Sequence, residues 1–355
     1  MNPLKTIKCW IYPAASRYFS RATLVGGAGQ SRRLFVDNSL FTKCLMAEAY
    51  KGPVHIAREW KIWIPALKRI IQQPNKIDLC IAVLPQKYET EFRGLYTFRG
   101  QEYVRQVINT SGTWDEIRKR FHKNKKQVSN SLAKKYSYRV STDMKDFEFY
   151  YRRMHLPHTR KQFGYLANIT SYEDMRKMFL SGSILLILDG GRPVAGALCS
   201  VKDRVLLFHR TGVLDGDATH VRNGAQMALY YFLLIFAKDR NFEKVDALKS
   251  RPFLNGGVYK TKREWGAEVC PDDESQSRVY FFIPRYTQAV VRFFQDNPVI
   301  IHTKGGLKGV VGVTDGAGLS EETGKALAKH FSAPGLKGLL LLSPSSTAPL
   351  EFSFS

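Results

Sequence analysis

The chain has 355 residues, 44% apolar and 24% charged, an ordinary globular composition with ample length for a buried core and for two domains. Lys and Arg total 54 against 31 Asp and Glu, a formal charge of +23, so anionic partners are expected: nucleotide, phosphorylated substrate, RNA or a membrane surface. Cys9, Cys44, Cys80, Cys199 and Cys270 stand singly with no CxxC or Cys/His spacing, so neither a zinc site nor a disulfide framework is indicated. No metal is expected, and a reducing, cytoplasmic location fits.

In chain order, the first 36 residues carry Lys5, Lys8, Arg17, Arg21, Arg32 and Arg33 with no acid before Asp37. That composition suits a transit peptide, but the apolar core and cleavage site of a secretory signal are missing, so residues 1–30 read as a basic, partly extended arm. The stretch AREWKIWIPALKRIIQQ reads as an amphipathic helix broken at Pro65, and IDLCIAVL as a buried strand ending at Pro85. Residues 117–139 hold nine Lys or Arg and no acid, which reads as a solvated basic helix at a junction between two halves.

The second half is more strongly patterned. FEFYYRRMHL reads as a helix ended by Pro157, and Ser171 with Asp174 caps a second helix that stops at Gly182. SILLIL, PVAGALCSV and VLLFHRTGVL, separated by polar turns, predict a three-stranded antiparallel meander. The longest apolar run, 228–237, belongs to a helix over about 224–237; its ten residues are half of the roughly 20 that a membrane span needs. A strand KVDAL, a helix around VYKTKREW and a strand RVYFFI follow. This order predicts an α+β fold with helices covering a mostly antiparallel sheet. From 286 on, a capped helix LSEETGKALAKHF between the short runs GVVGV and GLLLL reads as a small α/β appendage with a frayed tail.

Few residues suggest chemistry. Asn223 as N-cap, with Gln226 reaching back, would leave the amides of Gly224 and Ala225 facing outward beside Arg222, a helix start suited to phosphate; an ordinary capped helix is the plain alternative. At about 100° per residue, Val258, Lys262 and Trp265 fall at 0°, 40° and 340° and Lys260 at 200°, so Lys262 points inward and Lys260 outward. An inward lysine needs an anion, a ligand cleft or a path to the protein edge. His209 lies in an apolar strand, and Tyr230 and Tyr231 in the long helix; either type could move a proton, though core packing is the commoner role.

Residues 143–266 resemble a known family. The runs DMKDFEFYYRRMHLPHTRKQFG, SILLILDGGRPVAGAL, NGAQMALYYFLLIFAKDR and above all SRPFLNGGVYKTKREWG look like the FemAB-like branch of the GNAT-fold acyltransferases. The resemblance implies two tandem GNAT-like halves: a degenerate one over 31–135 and a catalytic one over 136–285, followed by the 286–355 appendage. It implies transfer of an acyl or aminoacyl group from acyl-CoA or aminoacyl-tRNA to an amine or hydroxyl of a small molecule or cell-envelope precursor. Carried onto this chain, donor phosphates meet Arg222, Asn223, Gly224 and Ala225, and Lys262 stands where the family's Tyr-x-x-Lys lysine would. The pyrophosphate loop departs from the plain GNAT pattern, which would suit a tRNA donor. Lys262 would steady the oxyanion, with Asp246, His209 and Tyr230 as candidate proton carriers. A catalytically silent GNAT-fold scaffold and an RNA-binding protein are the alternative functions.

Overall fold

The computed structural model describes residues 19–25, 33–36, 56–73, 77–164, 167, 169–314, 320–344 and 347–354. The chain begins with β1 (Phe19–Val25), β2 (Arg33–Val36), β3 (Ile56–Trp63), α1 (Leu67–Ile71) and β4 (Leu79–Pro85). Next come α2 (Glu89–Phe92), β5 (Phe98–Gly100), β6 (Val104–Asn109), α3 (Trp114–Lys119), α4 (Lys123–Lys135) and β7 (Tyr136–Ser141). A helix in three parts follows: α5 (Met144–Phe149), a π-helical turn (Tyr150–His155) and α6 (Leu156–Phe163). Beyond it lie α7 (Tyr172–Leu180), the meander β8 (Gly182–Asp189), β9 (Arg192–Lys202) and β10 (Val205–Val213), then α8 (Ala218–Arg222) and α9 (Ala225–Asp239). β11 (Lys244–Ser250), α10 (Gly257–Glu264), β12 (Glu268–Pro271) and β13 (Ser277–Phe282) lead to the last stretch: α11 (Gln288–Asp296), β14 (Val299–Thr303), β15 (Gly306–Gly312), α12 (Glu321–Phe331), β16 (Leu336–Leu342) and β17 (Leu350–Ser353).

The strands form two sheets, one of ten in the order β17-β16-β15-β14-β5-β13-β4-β2-β1-β3 and one of seven in the order β12-β6-β11-β10-β9-β8-β7. All neighbours are antiparallel except β2–β4, β15–β16 and β10–β11. This is the expected α+β class with mostly antiparallel sheets. On the seven-stranded sheet, α9 buries Leu229, Leu233 and Leu234 against Leu206, Phe208 and Val245; each such side chain contributes about 1.5–3 kcal/mol. On the ten-stranded sheet, α11 packs Val290, Val291 and Phe294 against Val279, Phe281 and Val310. Among the described residues no helix is long and apolar enough to cross a membrane.

Several expectations need correction. The stretch at 56–63 is a strand, not a helix: Ile62 is buried between exposed Lys61 and Trp63, and the segment pairs along β1. Pro157 does not end its helix. Leu156 N–H donates to Tyr151 O, five residues back, and this wider turn makes room for a proline ring that would otherwise press on the carbonyl four residues behind. Residues 19–25 within the basic arm form β1, and residues 350–353 of the supposed tail pair with β16 as β17.

The sheets also cut the chain differently from the expected boundaries at 135 and 285. β6, from the first segment, lies between β11 and β12, whereas β13, from the second, pairs with β4 and β5. Residues 286–355 are no appendage, since β14 pairs with β5 and β15 to β17 extend the same sheet. Local periodicity marks a strand but not its partner, and these pairings join residues far apart in sequence.

Candidate functional site

The parallel ladder between β10 and β11 is short. It runs from Val205↔Lys244 through Leu206↔Val245 to Leu207↔Asp246. Past that point both strands bulge: β10 between Phe208 and Arg210 against β9, β11 between Asp246 and Lys249 against β6. Leu248, within the second bulge, has φ +58°, a left-handed conformation costly for a bulky side chain and frequent near functional sites. The strands therefore part, and the carbonyls of Leu248 and Lys249 accept from Lys262 Nζ at 3.4 and 3.0 Å.

Lys262 reaches this gap from α10 and is only 5% exposed. The helix turns Tyr259 and Lys262 inward, with the fully buried Trp265 at its end, and leaves Lys260 in solvent as expected. Val258, expected on the inward stripe, is 44% exposed; Tyr259 takes its place. The helix is fastened to the sheet through Gln106, whose Nε2 donates to Tyr259 O at 3.1 Å and whose Oε1 accepts from Ser250 Oγ at 2.7 Å. Burial disfavours the charged form of the Lys262 amine, and nearby Arg210 acts in the same direction. Asp246 opposes both, and the outcome is a lysine lowered to about 7.

Asp246 is itself buried and held by two donors: Arg105 Nε to Oδ2 at 2.7 Å and Leu248 N–H to Oδ1 at 2.8 Å. The second contact pins the bulge. Arg105 pairs onward with Glu274 at 3.3 Å, and Lys249 with Glu274 at 3.2 Å and Asp272 at 3.0 Å. On β10, His209 Nε2 lies 2.6 Å from Ser200 Oγ, while Arg210 donates from Nε to Thr170 Oγ1 at 3.1 Å and from Nη1 to His209 O at 3.1 Å. Burial first, and Arg210 second, hold the His209 imidazole below its ordinary value, with Asp246 opposing.

Three of the four expected catalytic residues, Lys262, Asp246 and His209, thus lie near one another where the β10–β11 ladder ends, with the Asp246 charge acting on both of the others. Tyr230 is elsewhere, in the core, with its ring stacked on Trp265 at 6.2 Å and edge-on to Phe208 at 5.1 Å. Burial raises its hydroxyl well above the ordinary tyrosine range. Arg105, Arg210, Ser200 and Leu248 were not singled out by sequence, and for Arg105 no local signal exists: it alternates ordinarily within VRQVIN, and its partner lies 141 residues away.

The expected donor residues form a separate group at the turn between α8 and α9. Asn223 is not the N-cap of α9. It closes α8 with helical φ and ψ, and the cap position falls to Gly224 at φ +93° with no side-chain cap bond. A sharp reversal between two helices requires a left-handed residue, which glycine supplies and asparagine need not. Gly224 N–H donates to Val221 O at 3.0 Å, Asn223 O accepts from the Tyr136 hydroxyl at 2.9 Å, and a Cβ on Gly224 would meet Leu132 at 3.2 Å. Ala225 is buried, and Arg222 is exposed with Nη2 at 3.2 Å from Thr219 Oγ1.

No family model and no curated protein matches the chain. Among solved structures, FemX is similar at 11% identity and a TM-score of 0.41, covering 76% of this chain and 89% of that one. L-PGS from Bacillus licheniformis is similar at 9% identity and 0.38, covering 74% and 81%. A GCN5-related N-acetyltransferase-like protein from Streptococcus suis is similar at 15% identity and 0.31, covering 74% and 83%. Likenesses this distant decide nothing about activity, so the functional reading rests on the side chains around the opening.

Proposed function

We propose that the chain is an acyltransferase of the FemAB-like GNAT-fold kind, moving an acyl or aminoacyl group from acyl-CoA or aminoacyl-tRNA to an amine or hydroxyl acceptor. The observation that carries this reading is Lys262, a buried amine lowered to about 7 where β10 and β11 part. As a neutral amine, its two N–H bonds are taken by the carbonyls of Leu248 and Lys249, leaving the lone pair free to accept a proton. As an ammonium it has a third N–H to donate to a developing oxyanion. When an acceptor amine attacks the donor carbonyl, a C–N bond forms and the carbon–sulfur or carbon–oxygen bond to the leaving group breaks. The nitrogen sheds a proton, and the leaving group gains one. A group with its pKa near neutrality serves both transfers.

In this reading Arg210 lends a second positive charge to the opening, and the exposed Arg222 meets donor phosphate. Lys262→Ala lowers turnover more than tenfold with the fold intact, whereas Lys260→Ala is nearly silent. Full activity in Lys262→Ala, or equal losses in both variants, removes Lys262 from the site. Arg222→Glu tests donor contact more cleanly than any change at Gly224, where an added side chain would strain the backbone and press on Leu132. A fall of at least tenfold in acyl-CoA or aminoacyl-tRNA affinity is expected in calorimetric titration.

A second reading, RNA binding without catalysis, draws on the exposed Lys119, Arg120, Lys123, Lys134 and Lys135 along α3, α4 and the turn between them. It predicts RNA affinity that falls steeply with salt and no transfer from any donor.

A further inference from the structure

We propose that Arg105, on β6, is a positioning residue for this site: by holding Asp246 in an ion pair it keeps that carboxylate from claiming the proton of Lys262. The proposal rests on the reading of Lys262 as the group that accepts and returns the proton.

Asp246, on β11, and Lys262, on α10, are each 5% exposed, and the Asp246 charge acts on the lysine. A buried carboxylate with no other cation would bind the lysine as a permanent ion pair and hold it charged. Arg105 prevents this by geometry. Its Nε sits 2.7 Å from Asp246 Oδ2, and the other oxygen accepts from Leu248 N–H at 2.8 Å, so each carboxylate oxygen already has a donor and the carboxylate charge is partly met by the guanidinium. Lys262 instead donates to the two carbonyls of the bulge, dipoles that tolerate either protonation state.

The other charged groups around Lys262 fit the same assignment. From β10 come Arg210, which disfavours the ammonium, and His209, whose Nε2 is engaged with Ser200. From β11 comes Lys249, paired with Asp272 and Glu274 and therefore neutralised. Glu274, in the turn after β12, also braces the far side of Arg105 at 3.3 Å but is itself highly exposed, so solvent screens it. On α10, Arg263 donates to His330 O and Glu264 pairs with Lys125 of α4. Asp246 is thus the one buried carboxylate that the proton of Lys262 feels directly, and Arg105 is its counter-charge.

Two readouts test the proposal, one without substrate. A lysine lowered by burial binds its proton less well folded than unfolded, where its value is near 10.5. The folded state is therefore penalised below about pH 7, and the penalty fades as pH rises from 7 toward 10. Lys262→Met is accordingly more stable than the parent at pH 6 in urea unfolding, and the gap closes over that window. With Arg105→Gln, Asp246 attracts the proton of Lys262, so the lower edge of the window moves up by about one pH unit while its upper edge stays at the unfolded value; the rising limb of kcat against pH moves with the lower edge. Arg105→Lys keeps a cation beside Asp246 and leaves both where they were. In an Asp246→Asn background the limb lies lower, and Arg105→Gln adds no shift.

A lower rate in Arg105→Gln with an unmoved limb and window overturns the proposal, as does an equal shift in Arg105→Lys. Should Arg105→Gln fail to fold, Arg105→Lys and Asp246→Asn decide: an unmoved window in the first and a lowered one in the second support it, and any other pairing refutes it. If the window shifts while no donor is turned over, the electrostatic assignment stands and the transferase reading falls.

Discussion

Leu248 shows what a single residue contributes to the opening. Its φ of +58° places a bulky side chain in a region that L-residues avoid by roughly 1–2 kcal/mol, and in return two carbonyls turn toward Lys262. Leu248→Gly relieves the strain but loses a half-buried side chain and gains unfolded-state freedom, so its stability stays within about 1 kcal/mol of the parent. Leu248→Val adds a branch next to the strained backbone. It is expected to cost about 1–3 kcal/mol in urea unfolding and to lower turnover by displacing the carbonyls. Wild-type stability and rate in the valine variant would mean that the bulge tolerates an ordinary backbone. The sequence shows no trace of this strain, because KVDAL reads as an ordinary strand. Lys262 was legible from its angular position, and Asp246 and His209 were named beside it; Arg105, Arg210 and the carbonyls of the bulge were not, because nothing local on β6, β10 or β11 marks them as its neighbours.

At the level of elements, the site depends on how closely the π-helical turn lies on β10. A Cβ added to Gly212 would come 2.4 Å from both His155 N and Met154 C, so backbone meets backbone with no side chain able to rotate away. Gly212→Ala must push the turn off the strand. The expected cost is about 1–3 kcal/mol, seen as a lowered denaturation midpoint. A rate loss should accompany it, because Arg210 lies two residues upstream and the Tyr150 hydroxyl donates to its carbonyl at 2.9 Å. An alanine variant with an unchanged midpoint would show that the two elements can separate freely. The meander β8–β10 and the Ser171 cap of α7 were readable from turn residues and periodicity, and so were the inward Lys262 and Trp265 of α10, though not Tyr259, which takes the place expected for Val258. The π-turn was not, because a proline normally announces a helix end and only the tertiary packing reveals a helix that widens to accept it.

For the whole molecule, the ten-stranded sheet is closed by chain ends that look dispensable. GVVGV and GLLLL are visible as apolar runs and do form β15 and β16, but nothing local says that β14 must lie against β5, whose register runs Ile301↔Gly100 and His302↔Arg99. A chain ending at residue 285 loses β14 to β17, α11 and α12 together. It uncovers Phe98 and Phe281, which lie in one core with Val299, Ile301 and Phe294. Ordinary domains are stable by only about 5–15 kcal/mol, and deleting several buried residues at about 1.5–3 kcal/mol each exceeds that margin. The shortened chain is therefore expected to aggregate or to lose its cooperative unfolding transition. Removing only β17, by ending the chain at 347, takes away an edge strand with a largely exposed burial pattern and should leave a folded protein with a lower midpoint. If the chain ending at 285 instead unfolds cooperatively and keeps the lowered lysine at 262, the last 70 residues are a separable unit after all and the ten-stranded sheet does not act as one body.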